Sequence, residues 1–214
     1  MKVIEIFKSI DGEGKRAGLP TTFVRLAGCN LRCRYCDTAY AFDAREATDM
    51  SVEDIVKELK DYGVASVTIT GGEPLVHPQI ADLLEALDAS GLFDVNVETN
   101  GSIDPSVYHN LKNVWFTVDY KCPSSNEEES MNPKAFQTLR EQDVLKFVVG
   151  CKEDMFRALQ AIECFCPSAQ IYFSPVFGFP AKEIVEFMLN HDLNHCKVQL
   201  QLHKYIWPSD MRGV

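Results

Sequence analysis

The chain has 214 residues, of which 46% are hydrophobic and 24% charged, as is typical of a folded globular domain and not of a disordered or membrane-embedded chain. Its formal net charge of −10 argues against broad electrostatic binding of nucleic acid or acidic membranes, and favours a small-molecule substrate. At this length we expect a single domain over residues 1–214 with one core.

The N-terminal segment and the cysteine content predict a cytoplasmic protein. The segment MKVIEIF carries a glutamate within an apolar stretch, unlike a signal peptide, and no long apolar run follows. In a reducing compartment, the eight cysteines suit metal binding or core packing better than disulfides. Three of them cluster, and five are interpreted as small half-buried residues without a ligand role: Cys122, Cys151, Cys164, Cys166 and Cys196.

Apolar β-rich segments alternate with helical patterns along the chain, which is typical of parallel strands joined by helical crossovers. We expect strands at residues 22–26, 65–70, 95–98, 114–118, 144–149, 170–173 and 197–202. Helices are expected at residues 52–62, 78–89, 105–110, 133–141, 153–162 and 181–190, the first after a capping box of Ser51 and Asp54. This order predicts an α/β fold, an open or partial βα barrel, in which ligands bind at the carboxyl ends of the strands.

Three cysteines follow the strand at residues 22–26, in the segment AGCNLRCRYCDT with the spacing C-x3-C-x2-C. Cys29, Cys33 and Cys36 can bind three irons of a 4Fe-4S cluster and leave the fourth iron open to a substrate. S-adenosylmethionine can chelate that iron through its amino and carboxylate groups, and one electron then releases a 5′-deoxyadenosyl radical. The alternative is a closed zinc site, with Cys122 or a histidine as fourth ligand.

The cysteine spacing, the aromatic Tyr35 before the last cysteine and the strand-end position resemble the radical S-adenosylmethionine superfamily, whose fold is a partial TIM-like barrel. The segment TGGEP after the next strand resembles the part of that superfamily that binds the cofactor's amino group. Glycines allow close backbone approach there, and the Glu73 carboxylate can accept hydrogen bonds from an ammonium group. Taken alone, this segment would also suit a simple turn.

Two more strand ends extend the predicted cofactor site. The segment ETNG follows the strand DVNV, where the alternative is a glycine turn, and DYKCPSS follows VWFTV, where the alternative is a surface ion pair. The resemblance assigns S-adenosylmethionine to these residues: Tyr35, Asp37, Gly72, Glu73, Glu98, Asn100, Asp119, Tyr120 and Lys121.

The N-terminal segment IFKSIDGEGKRAGLPTTFVRLAGCN resembles the start of the 7-carboxy-7-deazaguanine synthases, in which an IQGEG-type loop and a following arginine contact a pterin. Asp11 stands where that family commonly has glutamine. The segment VDYKCPSS and the ending QLHKYIWPSDMRGV are also similar to this family. The resemblance implies that Thr38 contacts Mg²⁺, and that the substrate is bound by Ile10, Asp11, Gly12, Glu13, Arg25, Thr70, His203 and Arg212.

The implied reaction is the radical ring contraction of 6-carboxy-5,6,7,8-tetrahydropterin to 7-carboxy-7-deazaguanine with loss of ammonia, on the way to 7-deazapurines such as queuosine. No protein side chain is assigned as acid or base, since the radical comes from the cofactor. A flavodoxin or ferredoxin is the implied electron donor and a homodimer the implied assembly. The residue patterns leave other interpretations open: Arg25 as an ion-pair partner, His203 as a structural histidine and Arg212 as a solvated tail residue.

Parts of the sequence are also compatible with two functions other than the synthase. A glycyl-radical activating enzyme shares the cysteine loop and a small partial barrel, but acts on a glycine of a partner protein and needs no magnesium. A non-catalytic zinc or iron–sulfur scaffold would not cleave S-adenosylmethionine, and does not require the TGGEP segment at the next strand end.

Overall fold

The computed structural model describes residues 1–214 and contains nine strands and six helices. The strands are β1 (Lys2–Ile10), β2 (Pro20–Leu26), β3 (Thr48–Asp49), β4 (Ser66–Gly71), β5 (Asp94–Thr99), β6 (Val114–Tyr120), β7 (Val144–Val149), β8 (Gln170–Pro175) and β9 (Cys196–Val198). The helices are α1 (Val52–Tyr62), α2 (Ile80–Ser90), α3 (Pro133–Gln137), α4 (Lys152–Phe165), α5 (Ala181–Asn190) and α6 (His203–Ile206).

All nine strands form one sheet in the order β3-β1-β2-β4-β5-β6-β7-β8-β9, with β3 and β9 as its two edges. From β2 to β9 every neighbouring pair is parallel, whereas β1 pairs antiparallel with both β2 and β3. The sheet does not close on itself. The predicted α/β partial barrel is therefore confirmed, with an antiparallel extension on one side.

Several elements differ from the sequence prediction. The strand β1 was not predicted, because a half-exposed strand that leads into a hairpin lacks the crossover helix on which the βα pattern depends. The strand expected at residues 197–202 ends at Val198. The helix expected at residues 105–110 is a 3-10 turn, Pro105–Tyr108, and the one expected at residues 133–141 ends at Gln137.

Helix α1 begins and ends where its sequence indicates. The Ser51 hydroxyl accepts a hydrogen bond from the Asp54 backbone N–H at 3.1 Å, and the Asp54 carboxylate accepts one from the Ser51 N–H, which completes the predicted capping box. The helix stops at Gly63, which adopts a left-handed conformation with φ of 68°. Ile55 and Leu59 are fully buried against the sheet, so the capped helix covers its outer face.

Side chains along each strand point alternately to the apolar core and to the opposite face of the sheet. Val67 and Ile69 of β4 and Val95 and Val97 of β5 belong to a 39-residue apolar core beneath the helices. The residues between them point to the opposite, concave face of the sheet. That face is polar, and it holds Thr68, Thr70, Asn96, Glu98, Thr117, Asp119 and Lys146.

The connection between β1 and β2 covers the end of the partial barrel at which the parallel strands begin. Within it, the 3-10 turn Gly14–Arg16 buries the Arg16 guanidinium, which donates hydrogen bonds to the Val67 carbonyl at 3.0 Å and to the Thr68 hydroxyl at 2.6 Å. The Lys15 ammonium lies 3.8 Å from the centroid of the Trp115 ring. This plug anchors the segment that contains Asp11 to Glu13. No helix of the protein combines the length and the apolar character needed to cross a membrane.

Candidate active site

A cavity of about 420 Å³ opens at the carboxyl ends of the parallel strands, a volume within the usual range of small-molecule sites. It is lined by the cysteine loop after β2, by the ends of β4 to β7, by the segment before the Gly14–Arg16 turn and by the C-terminal residues. All of the predicted site residues line this cavity except Glu73 and Tyr120. Residues far apart in sequence therefore meet at one site.

The cysteine loop packs directly on the two glycines that follow β4. The Gly72 N–H donates to the Leu26 carbonyl at 3.0 Å, and the Glu73 N–H donates to the Gly28 carbonyl at 2.7 Å. A Cβ atom on Gly72 would lie only 1.9 Å from that Gly28 oxygen. Glycine is thus required at position 72 because the cysteine loop approaches its backbone, in addition to any approach of a ligand.

The three clustered cysteines are free, half-buried and exposed to the cavity. The Cys29 sulfur accepts weak hydrogen bonds from the Leu31 N–H at 3.4 Å and the Asn100 amide at 3.8 Å. Burial raises the pKa of the Cys29 thiol, and that of Cys33 to about 11, so iron must displace protons when it binds. No three His, Cys, Asp or Glu side chains lie close enough together to bind a single metal ion. A 4Fe-4S cluster does not need such an arrangement, because each cysteine thiolate binds a different iron.

The Glu73 side chain lies behind the cavity wall, so its predicted role in binding S-adenosylmethionine stays a prediction that its carboxylate orientation does not favour. Its carboxylate is 1% exposed and accepts hydrogen bonds from the Thr99 hydroxyl at 2.7 Å, the Asn100 N–H at 2.6 Å and the Leu75 N–H at 3.0 Å. Burial raises the pKa of Glu73 despite these donors. The residue ties the end of β4 to the end of β5, and so positions Asn100 and the glycines that do line the cavity.

The Tyr120 side chain is also absent from the cavity, so its predicted cofactor contact stays a prediction that the orientation of the side chain does not favour. Because side chains alternate along β6, Asp119 and Lys121 face the cavity while Tyr120 points into the core. Its ring packs against Phe136 and Phe147, with centroids 5.2 and 5.5 Å away, and its hydroxyl donates to the Glu128 carboxylate at 2.7 Å. Tyr120 is a core residue.

Tyr35 behaves in the opposite way. Its ring lines the cavity and its hydroxyl is buried without a hydrogen-bond partner. Burial raises the pKa of this phenol, so the hydroxyl stays protonated and available as a donor. Since buried hydroxyls are nearly always paired, an unpaired one at a cavity wall fits a polar atom of a bound ligand.

A buried ion-pair network lines the cavity at β6 and β7. Lys121 Nζ lies 2.8 Å from Asp119 Oδ2, and Lys146 Nζ lies 3.1 Å from Asp119 Oδ1. Burial alone would raise the pKa of Asp119, but the two ammonium groups outweigh it and lower that pKa below its usual value. The pair of Asp119 and Lys121 is therefore not a surface ion pair.

The Glu13 carboxylate is held by three donors from distant parts of the chain. Lys146 Nζ lies 2.8 Å from Oε2, the Gln199 amide 3.2 Å from Oε2, and the Gln201 amide 2.6 Å from Oε1. Gln199 also accepts from the Gly14 N–H at 2.7 Å. The predicted substrate loop is thus fastened to β7 and to the segment after β9.

Asp11 and Gly12 have mainly structural contacts within this loop. The Asp11 carboxylate is buried and lies 3.4 Å from Arg16 Nε, so its side chain is directed toward the plug of the barrel. Burial raises the pKa of Asp11, against the opposing charge of Arg16. A Cβ atom on Gly12 would lie 2.2 Å from His203 Nδ1, because the His203 ring packs on the loop backbone.

Glu98 and Thr70 form a second polar pair inside the cavity. The Thr70 hydroxyl donates to Glu98 Oε2 at 2.8 Å. Burial raises the pKa of Glu98 to about 7, although the nearby Lys146 ammonium acts in the opposite direction. Few carboxyl groups are half-protonated near neutral pH, and a pKa raised to this extent is typical of functional sites.

Both predicted arginines line the cavity and are also paired with carboxylates. Arg25 Nε lies 2.7 Å from Glu5 Oε1, and the Tyr40 hydroxyl donates to the same oxygen at 3.0 Å. Arg212 stacks on the Tyr40 ring at 3.6 Å and lies 3.0 Å from Glu46. Arg25 is thus an ion-pair partner at the cavity wall, and Arg212 is packed against the site instead of being a free tail residue.

Oxygen ligands for a magnesium ion are present beside the last cluster cysteine. The Thr38 hydroxyl lines the cavity and donates to Asp37 Oδ1 at 3.1 Å. Asp37 also pairs with Lys204 at 2.8 Å. A site with so few protein oxygens fits Mg²⁺, which keeps several waters and completes its coordination with substrate oxygens.

Sequence reasoning missed Lys146, Lys204 and Gln201 as site residues. Lys146 stands in the middle of the otherwise apolar strand VLKFVV, and a lysine there signals a partner on the buried face. The signal was present, but its partners lie in segments that no local pattern connects with β7.

The chain matches the model of the radical SAM superfamily over residues 23–159. It is 44% identical to the 7-carboxy-7-deazaguanine synthase of Clostridium acetobutylicum, over 100% of this chain and 99% of that protein. The synthase of Thermoplasma acidophilum is 34% identical over the full length of both chains. These relatives favour the synthase hypothesis over the activating enzyme.

The fold is also similar to that of a solved structure. The crystal structure of QueE from Escherichia coli superposes with a TM-score of 0.76 at 22% identity and covers 94% of each chain. Full-length similarity to the curated relatives, the superfamily match and the arrangement of the cysteine loop agree with one another. The chain belongs to the radical SAM superfamily and, within it, to the 7-carboxy-7-deazaguanine synthases.

Proposed function

We propose that this protein catalyses the ring contraction of 6-carboxy-5,6,7,8-tetrahydropterin to 7-carboxy-7-deazaguanine with loss of ammonia, a step toward 7-deazapurines such as queuosine. The observation that carries the proposal is the shared cavity. Cys29, Cys33 and Cys36, which resemble the superfamily's cluster loop, line it together with residues from the three segments that resemble the synthases. These segments contribute Glu13, Asp119 with Lys121, and the C-terminal residues.

Cofactor binding is assigned to one half of the cavity. Cys29, Cys33 and Cys36 would hold the 4Fe-4S cluster, and Tyr35, Gly72, Asn100, Asp119 and Lys121 would contact S-adenosylmethionine. When bound, the cluster and S-adenosylmethionine supply the radical that starts the reaction. The protein's own contribution is to hold the cofactor beside the pterin and to keep solvent out.

Pterin binding is assigned to the other half. The Glu13 carboxylate can accept hydrogen bonds from ring N–H groups, and the Arg25 and Arg212 guanidinium groups can pair with the substrate carboxylate. Thr70 and His203 border the same space. Ile10 and Gly12 contribute backbone and shape, while Asp11 anchors the loop through Arg16.

We further propose that Thr38 binds a magnesium ion that positions the substrate carboxylate, since a hydroxyl is a hard oxygen ligand suited to this ion. A flavodoxin or ferredoxin is proposed as electron donor, and a homodimer as the assembly. A cytoplasmic location is proposed because all eight cysteines are free thiols and a thiolate-bound cluster needs a reducing compartment.

The test is anaerobic incubation of the reconstituted protein with S-adenosylmethionine, a reductant, Mg²⁺ and 6-carboxy-5,6,7,8-tetrahydropterin, with products identified by mass spectrometry. The expected product is 7-carboxy-7-deazaguanine, absent with Cys33→Ala and retained with Cys164→Ala, whose thiol is exposed outside the cavity. Formation of 5′-deoxyadenosine without the deazaguanine would leave the radical chemistry in place and overturn the substrate.

A further inference from the structure

Lys146 is the only residue that forms ion pairs with both the predicted substrate loop, at Glu13, and the end of β6, where the cofactor is predicted to bind, at Asp119. Its Nζ lies 2.8 Å from Glu13 Oε2 and 3.1 Å from Asp119 Oδ1. Its side chain is 10% exposed, and Glu13 is separated from it by 133 positions in the chain. The ammonium group thus joins two walls of the cavity.

The surroundings show why a cation is needed there. Glu13, Glu98 and Asp119 bring three carboxylates to this part of the cavity, and Lys146 is influenced by all three. Burial alone would lower the pKa of Lys146, but these carboxylates outweigh it and hold the pKa well above its usual range. The lysine therefore stays charged, and without it the carboxylates would repel one another in a low-dielectric site.

Glu13 depends on Lys146 more than Asp119 does. Lys146 forms the only salt bridge of Glu13, whose other two donors are neutral amides. Asp119 has a second cation, Lys121, at 2.8 Å. Removal of Lys146 would accordingly displace the Glu13 carboxylate first.

We propose that Lys146 is a positioning residue that fixes the Glu13 carboxylate against the pterin and sets its distance from the Asp119 side of the cofactor site. This inference rests on the proposed function. It assigns to β7 a part in aligning substrate with cofactor, through a lysine that acts on the pterin by way of the Glu13 carboxylate.

The first experiment measures pterin and S-adenosylmethionine binding by anaerobic calorimetry on cluster-loaded protein without reductant. Lys146→Met should weaken pterin binding by about 10- to 100-fold, the order expected when a hydrogen bond between the charged Glu13 carboxylate and the ligand is lost. Lys146→Arg keeps the charge and should recover part of that loss. Lys197→Met is the matched control, since Lys197 contacts Gln170 and Tyr172 outside the cavity and should bind both ligands like the wild type.

A double-mutant cycle separates positioning from a general structural effect. If Lys146 acts through Glu13, the variant that combines Glu13→Gln with Lys146→Met should bind pterin no more weakly than Glu13→Gln alone. Under turnover, Lys146→Met should also yield several-fold more 5′-deoxyadenosine per deazaguanine formed. The reason is that a 5′-deoxyadenosyl radical beside a misaligned pterin more often takes hydrogen from another source. A purely structural lysine would lower both products together.

The outcomes are distinguishable. Wild-type protein that neither binds nor converts the pterin overturns the proposed function, and this inference with it. Wild-type protein that does both, beside a Lys146→Met variant with unchanged pterin affinity and product ratio, overturns this inference alone. Fully additive losses in the double-mutant cycle also overturn it. Should Lys146→Met fail to fold, the comparison is made between Lys146→Arg and Lys146→Gln. A several-fold higher pterin affinity of Lys146→Arg supports the inference, and equal affinities of the two variants contradict it.

Discussion

Lys204 Nζ lies 2.8 Å from Asp37 Oδ2, which joins the C-terminal segment to the residue directly after the last cluster cysteine. Lys204 also approaches the Phe177 ring at 5.8 Å, and its side chain is almost fully covered. Residues 209–214, after a short helical stretch, also line the cavity. This ion pair is therefore the point where the C-terminal cover of the site is attached to the cysteine loop.

Loss of the attachment should weaken substrate binding by a moderate factor. Because Asp37 is half-exposed, the ion pair is worth about 1 kcal/mol, and we expect Lys204→Met to raise the KM for the pterin by roughly 3- to 10-fold with intact cluster content. Steady-state kinetics on Lys204→Met and on Lys182→Met, which removes an exposed helix ion pair, test this. Equal KM values for the two variants would refute the attachment.

Gly72→Ala should impair cluster loading. The added Cβ would meet the Gly28 oxygen at 1.9 Å, and both partners are backbone, so the cysteine loop must move. We expect a destabilisation of about 1–3 kcal/mol and a marked loss of bound iron after reconstitution. Gly91→Ala is the control, because it has a positive φ but open space around it. Iron analysis that finds a full cluster in Gly72→Ala would show that the loop tolerates displacement.

Two tyrosines should respond in opposite ways to loss of the hydroxyl. Tyr35→Phe removes an unpaired buried hydroxyl, so the free energy of unfolding should hardly change while S-adenosylmethionine binding weakens several-fold. Tyr120→Phe removes a hydrogen bond to Glu128, so unfolding should become easier by about 1 kcal/mol with unchanged cofactor affinity. Denaturant unfolding and calorimetry decide between them, and an affinity loss in Tyr120→Phe would return that residue to the cofactor site.

Ligand binding should depend on pH through Glu98. Its pKa is raised to about 7 by burial, so in the folded protein its carboxyl is protonated below and ionised above that pH. Because the folded pKa lies above the unfolded one, ionisation also costs stability progressively as the pH rises from about 4.5 to beyond 7. Glu98→Gln should remove both inflections, in S-adenosylmethionine affinity measured across pH 6–8 and in the free energy of unfolding. Persistence of the inflections in Glu98→Gln would assign them to another group.

Local signals were sufficient where chemistry and structure occupy one segment. The spacing of Cys29, Cys33 and Cys36, the TGGEP segment and the capping box at Ser51 depend only on neighbouring residues. The capping box is confirmed, and the three cysteines and Gly72 lie at one cavity. Alternation along β6 would also have separated Tyr120 from Asp119 and Lys121, had it been applied to that motif.

Contacts between distant segments were beyond such reasoning. Glu13 meets Lys146 and Gln201 only because the segment before the Gly14–Arg16 turn and the segment after β9 line the same cavity. The site of Glu73 was predicted, but its orientation was not, since three donors behind the wall hold its carboxylate. Burial and partners of a polar side chain follow from the assembled fold and not from its motif.

The most direct test of the central claim, that one cavity holds cofactor and pterin together, uses 6-carboxytetrahydropterin labelled with deuterium at C6. Anaerobic turnover is followed by mass spectrometry of S-adenosylmethionine and 5′-deoxyadenosine. The reaction implied by the family resemblance begins when the 5′-deoxyadenosyl radical takes the hydrogen at C6 of the pterin. We therefore expect deuterium in these adenosyl products, and less transfer with Glu13→Gln. Adenosyl products that form in the presence of labelled pterin but carry no deuterium would contradict the account.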